Sequence, residues 1–467
     1  MVTTRSRPSG EELARELADL LGGDRVAPVT APYLVDATEW RGLAGRADAV
    51  ILPQCTSDVS RLLAWCDLHE VPVTPRGGGS GLAGGAVPLD GGVVLSLERM
   101  TAVRSFNPLA WRICVEAGML TATLQRLARE NGLLYPPDPG AADQSQIGGN
   151  VATNAGGPHA FKYGPTGAWV SGLEAVLASG EIVTFGGAVR RDVAGYDLKS
   201  LLVGSEGTLA VITAAWLKLI PAPEAVLPLV ALYSDSVSGV AAIERIVGSG
   251  LQPATLDYLD AGTVAACANG FPAGPPPAGF MVIVEADGRK AEAERLRDEL
   301  RDTLAEDVLT IHAPDRRASI AALWRWRGEV AVAVAAQRGG KVSEDIAVPL
   351  EHLGEAITET VAIGARHGLP ALSWGHAGDG NLHSTFLIEA NNAAEVARAE
   401  QAAEELFALA VRVGGTVSAE HGVGWVKRGQ LARQWSPAAL ELHDAVKQLF
   451  DPKGLLNPGK KPGVLQK

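Results

Sequence analysis

The chain has 467 residues, 47% of them hydrophobic and 20% charged, with a formal net charge of −12. Such a composition excludes a disordered polymer, and the length calls for roughly two to four domains. The acidic balance argues against nucleic acid or an acidic lipid surface as the main partner, and no apolar run approaches the ~18–20 residues of a spanning helix.

The polar start Met1-Val-Thr-Thr-Arg-Ser-Arg7 leads into an amphipathic helix over 11–21. It lacks the apolar region of a signal peptide, so residues 1–30 read as an N-terminal helical segment. Strands and helices then alternate: strand 49–52, helix 57–68, strand 71–75, strands 93–97 and 113–116, and helix 120–131 closed by Gly132. The Pro-rich run 134–140 can continue neither a helix nor a central strand. Residues 173–178 and 182–185 form a hairpin around Ser179-Gly180, and strand 210–219 ends at Pro221-Ala222-Pro223, the first domain boundary. A second alternation follows, with strand 226–232, helix 238–247, strands 255–259 and 280–285, and helix 291–304. That order suits an antiparallel sheet covered on one face by helices. A long helix pattern covers 323–336, then strand 342–348 and helix 353–367, and the tail 451–460 is extended.

Cys55, Cys66, Cys114 and Cys267 are spaced too irregularly for a zinc or disulfide framework. Their apolar neighbours make them buried free thiols, which suits a reducing cytoplasm. Glycines cluster at 76–85, 148–157, 204–207, 375–380 and 414–424. Lacking a Cβ, glycine lets a backbone approach a ligand closely; simple turns are the alternative, though not for all of these clusters. The loop 75–85 follows a strand, so its N–H groups can form an anion-cradling nest. It is neither a Walker loop nor a Rossmann fingerprint, since it lacks Gly-Lys-Ser/Thr and opens no long helix.

The stretch Trp374-Gly-His-Ala-Gly-Asp-Gly-Asn-Leu-His383 carries the chemistry. Asp379-Gly380 predicts a two-residue type I′ turn, which sets His376 opposite His383. Opposed side chains share a face at roughly 5 Å, close enough for both imidazoles to reach one metal ion. Glu420, in Ser418-Ala-Glu-His421, is the best candidate for a third ligand. Three protein ligands leave a coordination position open for catalysis. On the hairpin alone, a structural turn with two ordinary histidines is an equal reading.

Pro75–Gly85, Pro136-Pro-Asp-Pro-Gly140, Gly148-Gly-Asn-Val-Ala-Thr-Asn-Ala-Gly-Gly157, Lys162-Tyr-Gly164 and Gly204-Ser-Glu-Gly-Thr208 together resemble the FAD-binding domain of the vanillyl-alcohol oxidase/p-cresol methylhydroxylase superfamily. Ser343-Glu-Asp-Ile-Ala-Val-Pro349, the histidine hairpin, Ser418-Ala-Glu-His-Gly422 and Asn457-Pro-Gly-Lys460 resemble the FAD-linked D-2-hydroxyacid dehydrogenases. Those include D-lactate and D-2-hydroxyglutarate dehydrogenases and the flavin subunit of glycolate oxidase. The resemblance runs from about residue 30 to 465 and implies an α+β fold. A two-subdomain FAD domain would span 31–222, an antiparallel, ferredoxin-like substrate and metal domain 223–425, and a segment returning to the flavin 426–467.

The resemblance also implies roles. Arg76, Gly77, Gly78, Gly79, Ser80, Gly81 and Leu82 would hold the FAD pyrophosphate through main-chain N–H groups. Gly149, Asn150, Thr153, Asn154 and Gly157 would line the ribityl and isoalloxazine region, with Asp138, Gly207 and Asn457 nearby. Covalent members carry a histidine in the first glycine loop where this chain has Ser80, so a noncovalent flavin is expected. His159 is expected to be solvent-exposed or structural. His376, His383 and Glu420 would hold a divalent metal, zinc above all; His421 would be the general base, and Arg327 would clamp the substrate carboxylate. A threonine and a lysine that hold the distal carboxylate in 2-hydroxyglutarate enzymes are replaced here by Ala331 and Ser343, with Lys341 two residues earlier. That weakens 2-hydroxyglutarate and leaves hydroxyacids in general untouched.

The implied partners are a small hydroxyacid and an electron acceptor, which could be a quinone, an electron-transfer flavoprotein or a partner subunit; a homodimer stays open. The implied location is the cytoplasm, with membrane association only through the acceptor. An oxidase of the same fold that uses oxygen, the flavin subunit of a glycolate or lactate oxidase complex, and an NADPH-using reductase are the alternatives. The last has no reason to keep the metal hairpin.

Overall fold

The computed structural model describes residues 10–38, 41–277 and 279–461; the polar start 1–9 and the end of the tail, 462–467, lie outside the described residues. Two compact units emerge. Of the described residues, those from 10 to 156, 165–221 and 420–461 build the first, and 157–164 with those from 222 to 419 build the second.

In the first unit, parallel strands Ala49–Ile51, Val93–Ser96 and Val73–Arg76 lie side by side, with the short antiparallel strand Val26–Ala27 at the edge. Every residue of Ala49–Ile51 and Val93–Ser96 is buried, as parallel strands covered on both faces require. Helix Gly10–Leu21 contributes Leu13, Leu17 and Leu21 to the core beside this sheet, a stripe at i, i+4 spacing. Helix Thr56–His69 adds Val59, Leu62, Leu63 and Cys66. A separate antiparallel sheet runs in the order Val103–Asn107, Arg112–Glu116, Val211–Lys218, Val170–Val176 and Ile182–Gly186. Helix Ile147–Thr153 buries Ile147 and Val151 in the core of that sheet.

The C-terminal segment completes this unit. Helix Pro437–Phe450 packs Val446 and Phe450 against the antiparallel-sheet core. Leu456 then bridges Val73 in parallel: Val73 N donates to Leu455 O and Asn457 N donates to Val73 O, both at 2.8 Å. All four cysteines are free, but Cys55 is exposed rather than buried. It stands at the N-cap of helix Thr56–His69, where apolar sequence neighbours do not cover it.

Lys460 is buried and donates to Gly85 O (3.0 Å) and Asn457 Oδ1 (2.6 Å). Burial lowers its pKa to about 7, against the pull of Asp36, Asp90 and Glu206. In the unfolded chain a lysine titrates near 10.4. Between about pH 7 and 10 the unfolded chain therefore binds more protons, and stability rises with pH across that window. Melting curves should show Tm climbing from pH 7 to 10, with a smaller slope in a Lys460→Met variant; a falling Tm contradicts this.

The second unit is built on a seven-stranded antiparallel sheet. Its order is Val308–His312, Ala225–Tyr233, Phe280–Gly288, Thr255–Leu259, Ala371–His376, Asn381–Glu389 and Gly339–Ala347. One face presents Val230, Leu232, Leu259, Met281, Ile283 and Trp374 to Leu323, Trp326, Val330 and Val334. These come from two helices, Arg317–Gly328 and Val330–Ala336, where the periodicity predicts one. The break falls at Glu329, just after Gly328, where helix propensity is weakest. On the other face, Gly239 of helix Ser236–Gly248 abuts the Phe280 ring, and Thr360 of helix Leu353–Arg366 hydrogen-bonds Ser384 at 2.8 Å.

The short segment 157–164 is pinned to strand Phe280–Gly288 of the same unit. His159 Nε2 meets Glu285 Oε1 at 2.9 Å, and Lys162 and Tyr163 both meet Asp287. His159 thus makes a structural hydrogen bond, the second of the two roles expected for it.

Candidate functional site

In the first unit the two long glycine clusters converge. A Cβ on Gly77 would stand 3.6 Å from Gly149 Cα and 3.7 Å from Gln146 Oε1. Nothing lies within 4 Å of the position a Gly149 Cβ would take. Bare backbone therefore faces open space. Arg76 turns back under the loop and donates to the carbonyls of Pro32 (2.6 Å), Val35 (2.8 Å) and Ala86 (3.3 Å). Gly79, at φ +70°, has no room for a Cβ against that guanidinium. Gly78 is held by Gln144, whose Nε2 donates to Gly78 O at 2.8 Å.

Several candidate side chains shape these loops. Asn150 Nδ2 donates to Thr121 Oγ1 (2.6 Å), Thr153 Oγ1 to Gly149 O (3.0 Å), and Asn154 Oδ1 accepts from Gly167 N (2.8 Å). Asn457 Nδ2 donates to Gly85 O (2.9 Å) and Glu206 O (2.8 Å), which ties down the far end of the first loop. Gly207 abuts Pro75, while Leu82 is exposed and Asp138 half-buried. Gly157 belongs to the second unit. Gln146 Oε1 and Ser205 Oγ are buried without a hydrogen-bond partner among the described residues. Leaving such atoms unsatisfied is costly, and a polar ligand would satisfy them. Open backbone and unsatisfied polar atoms fit a nucleotide cofactor such as FAD.

With Ser80 and no histidine between Gly77 and Gly85, acid precipitation should release yellow flavin into the supernatant. Flavin that stays with the precipitated protein would overturn noncovalent binding.

The histidine hairpin differs in register from the two-residue turn. Its strands end at His376 and resume at Asn381, so His376 pairs with Asn381 and Trp374 with His383. Residues 377–379 form a 3₁₀ turn, and Gly380 (φ +65°) presses so close to Val348 O that no Cβ would fit. This contact favours the longer turn. The slip is two residues, an even number, so both histidines still share one face. Their ring centroids lie 5.5 Å apart.

The neighbouring strand supplies a residue that the sequence reading missed. Asp257, wholly buried, pairs in register with His376. His376 Nδ1 donates to Asp257 Oδ1 at 2.8 Å, while Arg327 Nε and Nη2 lie 2.8 and 2.7 Å from Oδ2. Burial alone would raise the Asp257 pKa, but the charge of Arg327 and the contact with His376 hold it below the ordinary value. An ionised acceptor fixes the His376 tautomer with its proton on Nδ1, which leaves the Nε2 lone pair for a metal. One edge of Arg327 is engaged here, so a bidentate clamp on substrate cannot use the Nε edge. A sequence signal for Asp257 exists: a lone carboxylate inside the fully buried strand Thr255–Leu259.

Asp345, on the strand beside His383, holds Ser418 and Ala419 in place. It accepts from Ala419 N (2.8 Å) and Ser418 Oγ (3.3 Å), anchoring the residues that lead into Glu420. His376 and His383, both buried, share one face of the second unit's sheet, while Glu420 begins the stretch that belongs to the first unit. Two imidazoles so placed form a donor pair that fits a divalent ion such as zinc. His421 follows directly, its Nε2 3.9 Å from Glu420 Oε1.

Glycine loops of this kind in a chain that also carries a large antiparallel sheet point to a flavoprotein class, and comparison with known proteins agrees. Residues 47–186 match the model for an FAD binding domain, and 222–461 that for the C-terminal domain of FAD linked oxidases. The chain is 37% identical to the glycolate oxidase subunit GlcD of Bacillus subtilis, covering 88% of each. It is 34% identical to a D-lactate dehydrogenase of Anaerostipes hadrus, covering 89% of this chain and 90% of that one. The p-cresol methylhydroxylase structure superposes at a TM-score of 0.80 with 16% identity, over 98% of this chain and 97% of that one, and so shares the fold. The chain belongs to the FAD-linked oxidase family that includes the FAD-linked D-2-hydroxyacid dehydrogenases. It is an FAD-linked oxidoreductase with a two-domain, mixed α and β fold. Among its described residues no helix is long and apolar enough to cross a membrane.

Proposed function

We propose that this protein oxidises a small D-2-hydroxyacid to the 2-oxoacid with FAD and a divalent metal. The observation that carries the proposal is the pair His376 and His383 on one face of the sheet, where Asp257 holds both His376 and Arg327, with Glu420 as the proposed third ligand. Bound FAD would supply the two-electron acceptor, at flavin N5, for the hydride leaving Cα. Bound metal would supply a Lewis acid that lowers the pKa of the substrate alcohol.

The protein's own residues do the rest. Arg327 pairs with the substrate carboxylate through the part of its guanidinium not engaged by Asp257, which orients Cα. A ring nitrogen of His421 takes the hydroxyl proton as the C–H bond breaks. Ser343 is hydrogen-bonded to Thr385 (2.8 Å), and the Lys341 ammonium lies 5.1 Å from the Trp374 ring centre. Those engagements, with Ala331, favour a short substrate such as lactate or glycolate over 2-hydroxyglutarate. Electrons then pass to an acceptor, and a partner subunit is favoured because the Bacillus relative is named as a subunit of an oxidase.

Purified protein should be screened with D- and L-hydroxyacids and a dye acceptor, with and without chelator. D-selective, chelator-sensitive reduction of the dye is expected. Activity indifferent to chelator defeats the metal, and peroxide formed without dye favours the oxygen-using oxidase.

A further inference from the structure

We infer that Asp257 is a positioning residue that couples metal binding to recognition of the substrate carboxylate. The inference rests on the metal reading above and adds a residue and a linkage to it. Each carboxylate oxygen has its own client: Oδ1 takes the His376 Nδ1 proton, and Oδ2 accepts from Arg327 Nε, with Nη2 at ion-pair distance. The carboxylate has no access to solvent, and Arg327 is itself buried, so neither can exchange its partner for water.

Three strands and a helix make the arrangement rigid. Asp257 sits in register with His376 on one side and Ile283 on the other, and Arg327 descends from helix Arg317–Gly328. A carboxylate on the far nitrogen of a metal-binding imidazole orients the ring and makes it a better donor, and its loss typically costs roughly 10–100-fold in metal affinity. The same negative charge holds the guanidinium in place. One buried charge is thus divided between the group that would bind metal and the group that would bind substrate. Whatever draws Asp257 toward one weakens its hold on the other.

A nearby aspartate provides the control. Asp260, also buried, accepts from Thr263 N and Ser373 N at 2.8 Å and so caps a helix end without touching His376 or Arg327. Full-length, FAD-loaded wild type, Asp257→Asn, Asp260→Asn, Arg327→Gln and His376→Ala are compared by zinc affinity against a chromophoric chelator, by KM and kcat, and by Tm. Asp257→Asn is expected to lose roughly 10–100-fold in zinc affinity and to raise KM for the hydroxyacid about tenfold or more, with its FAD retained. Asp260→Asn should lower Tm alone. Arg327→Gln, which frees Asp257 for His376, should bind zinc several-fold more tightly while KM rises, a gain that mere destabilisation cannot produce. This arm decides the matter should Asp257→Asn fail to fold. Wild-type zinc affinity and KM in Asp257→Asn, or weakened zinc binding in Arg327→Gln, overturn the coupling. If wild type and His376→Ala bind zinc equally poorly, the metal reading itself has failed.

Discussion

Alanine at His376, His383 or Glu420 is expected to strip the divalent metal from the protein and stop hydroxyacid oxidation while FAD stays bound. The proposed set is two imidazoles and one carboxylate, and removing one leaves too few to hold an ion against solvent. A Lewis acid on the reacting alcohol is worth several kcal/mol, so turnover should drop by roughly 10²–10⁴-fold. FAD should be retained in the two histidine variants because the converging loops at Gly77 and Gly149 lie in a different unit from them, and in Glu420→Ala because Glu420 is on neither loop. Elemental analysis and the flavin absorbance of each purified variant separate the two cofactors. Full metal and full activity in His376→Ala and His383→Ala would reduce the hairpin to a turn.

His421→Ala should behave differently. Metal and flavin should both remain, KM should change little, and kcat should fall by the roughly 10²–10⁴-fold typical of a lost general base. Added imidazole should restore part of the rate, since it can take the proton without being tethered. A rate within a few-fold of wild type, or metal loss equal to that of Glu420→Ala, would remove His421 from proton transfer.

Much of this arrangement was legible in the residues, for identifiable physical reasons. Strands 49–52 and 93–97 were plain because buried parallel strands are continuously apolar. Helix Ile147–Thr153 was not, because two of its seven residues are glycine and its apolar period is erased. Helix Pro437–Phe450 escaped because its inner face carries Lys447, whose ammonium is satisfied not only by Asp451 and Leu456 O nearby but by Thr208 O, 239 residues away. In the hairpin the face of the histidines could be inferred and the register could not. Turn length there answers to the Val348 carbonyl, on another strand connection, while face depends only on parity. Asp257 was hidden for a related reason: its value lies in two partners 70 and 119 residues away.

The Val73–Leu456 bridge bears on how the chain is made. The glycine loop at 77–85 is closed by Asn457, 372 residues downstream of Gly85, so the first unit lacks this structural piece until residue 457 has been made. Residues 222–419, by contrast, are contiguous and can collapse on their own while the ribosome is still at work. The early sheet must therefore wait with an uncovered edge until residue 456 has been made, exposed to mispairing and in need of protection. Flavin capture at this loop should follow the synthesis of Asn457, and a nascent chain that lacks it is the form most exposed to wrong pairing.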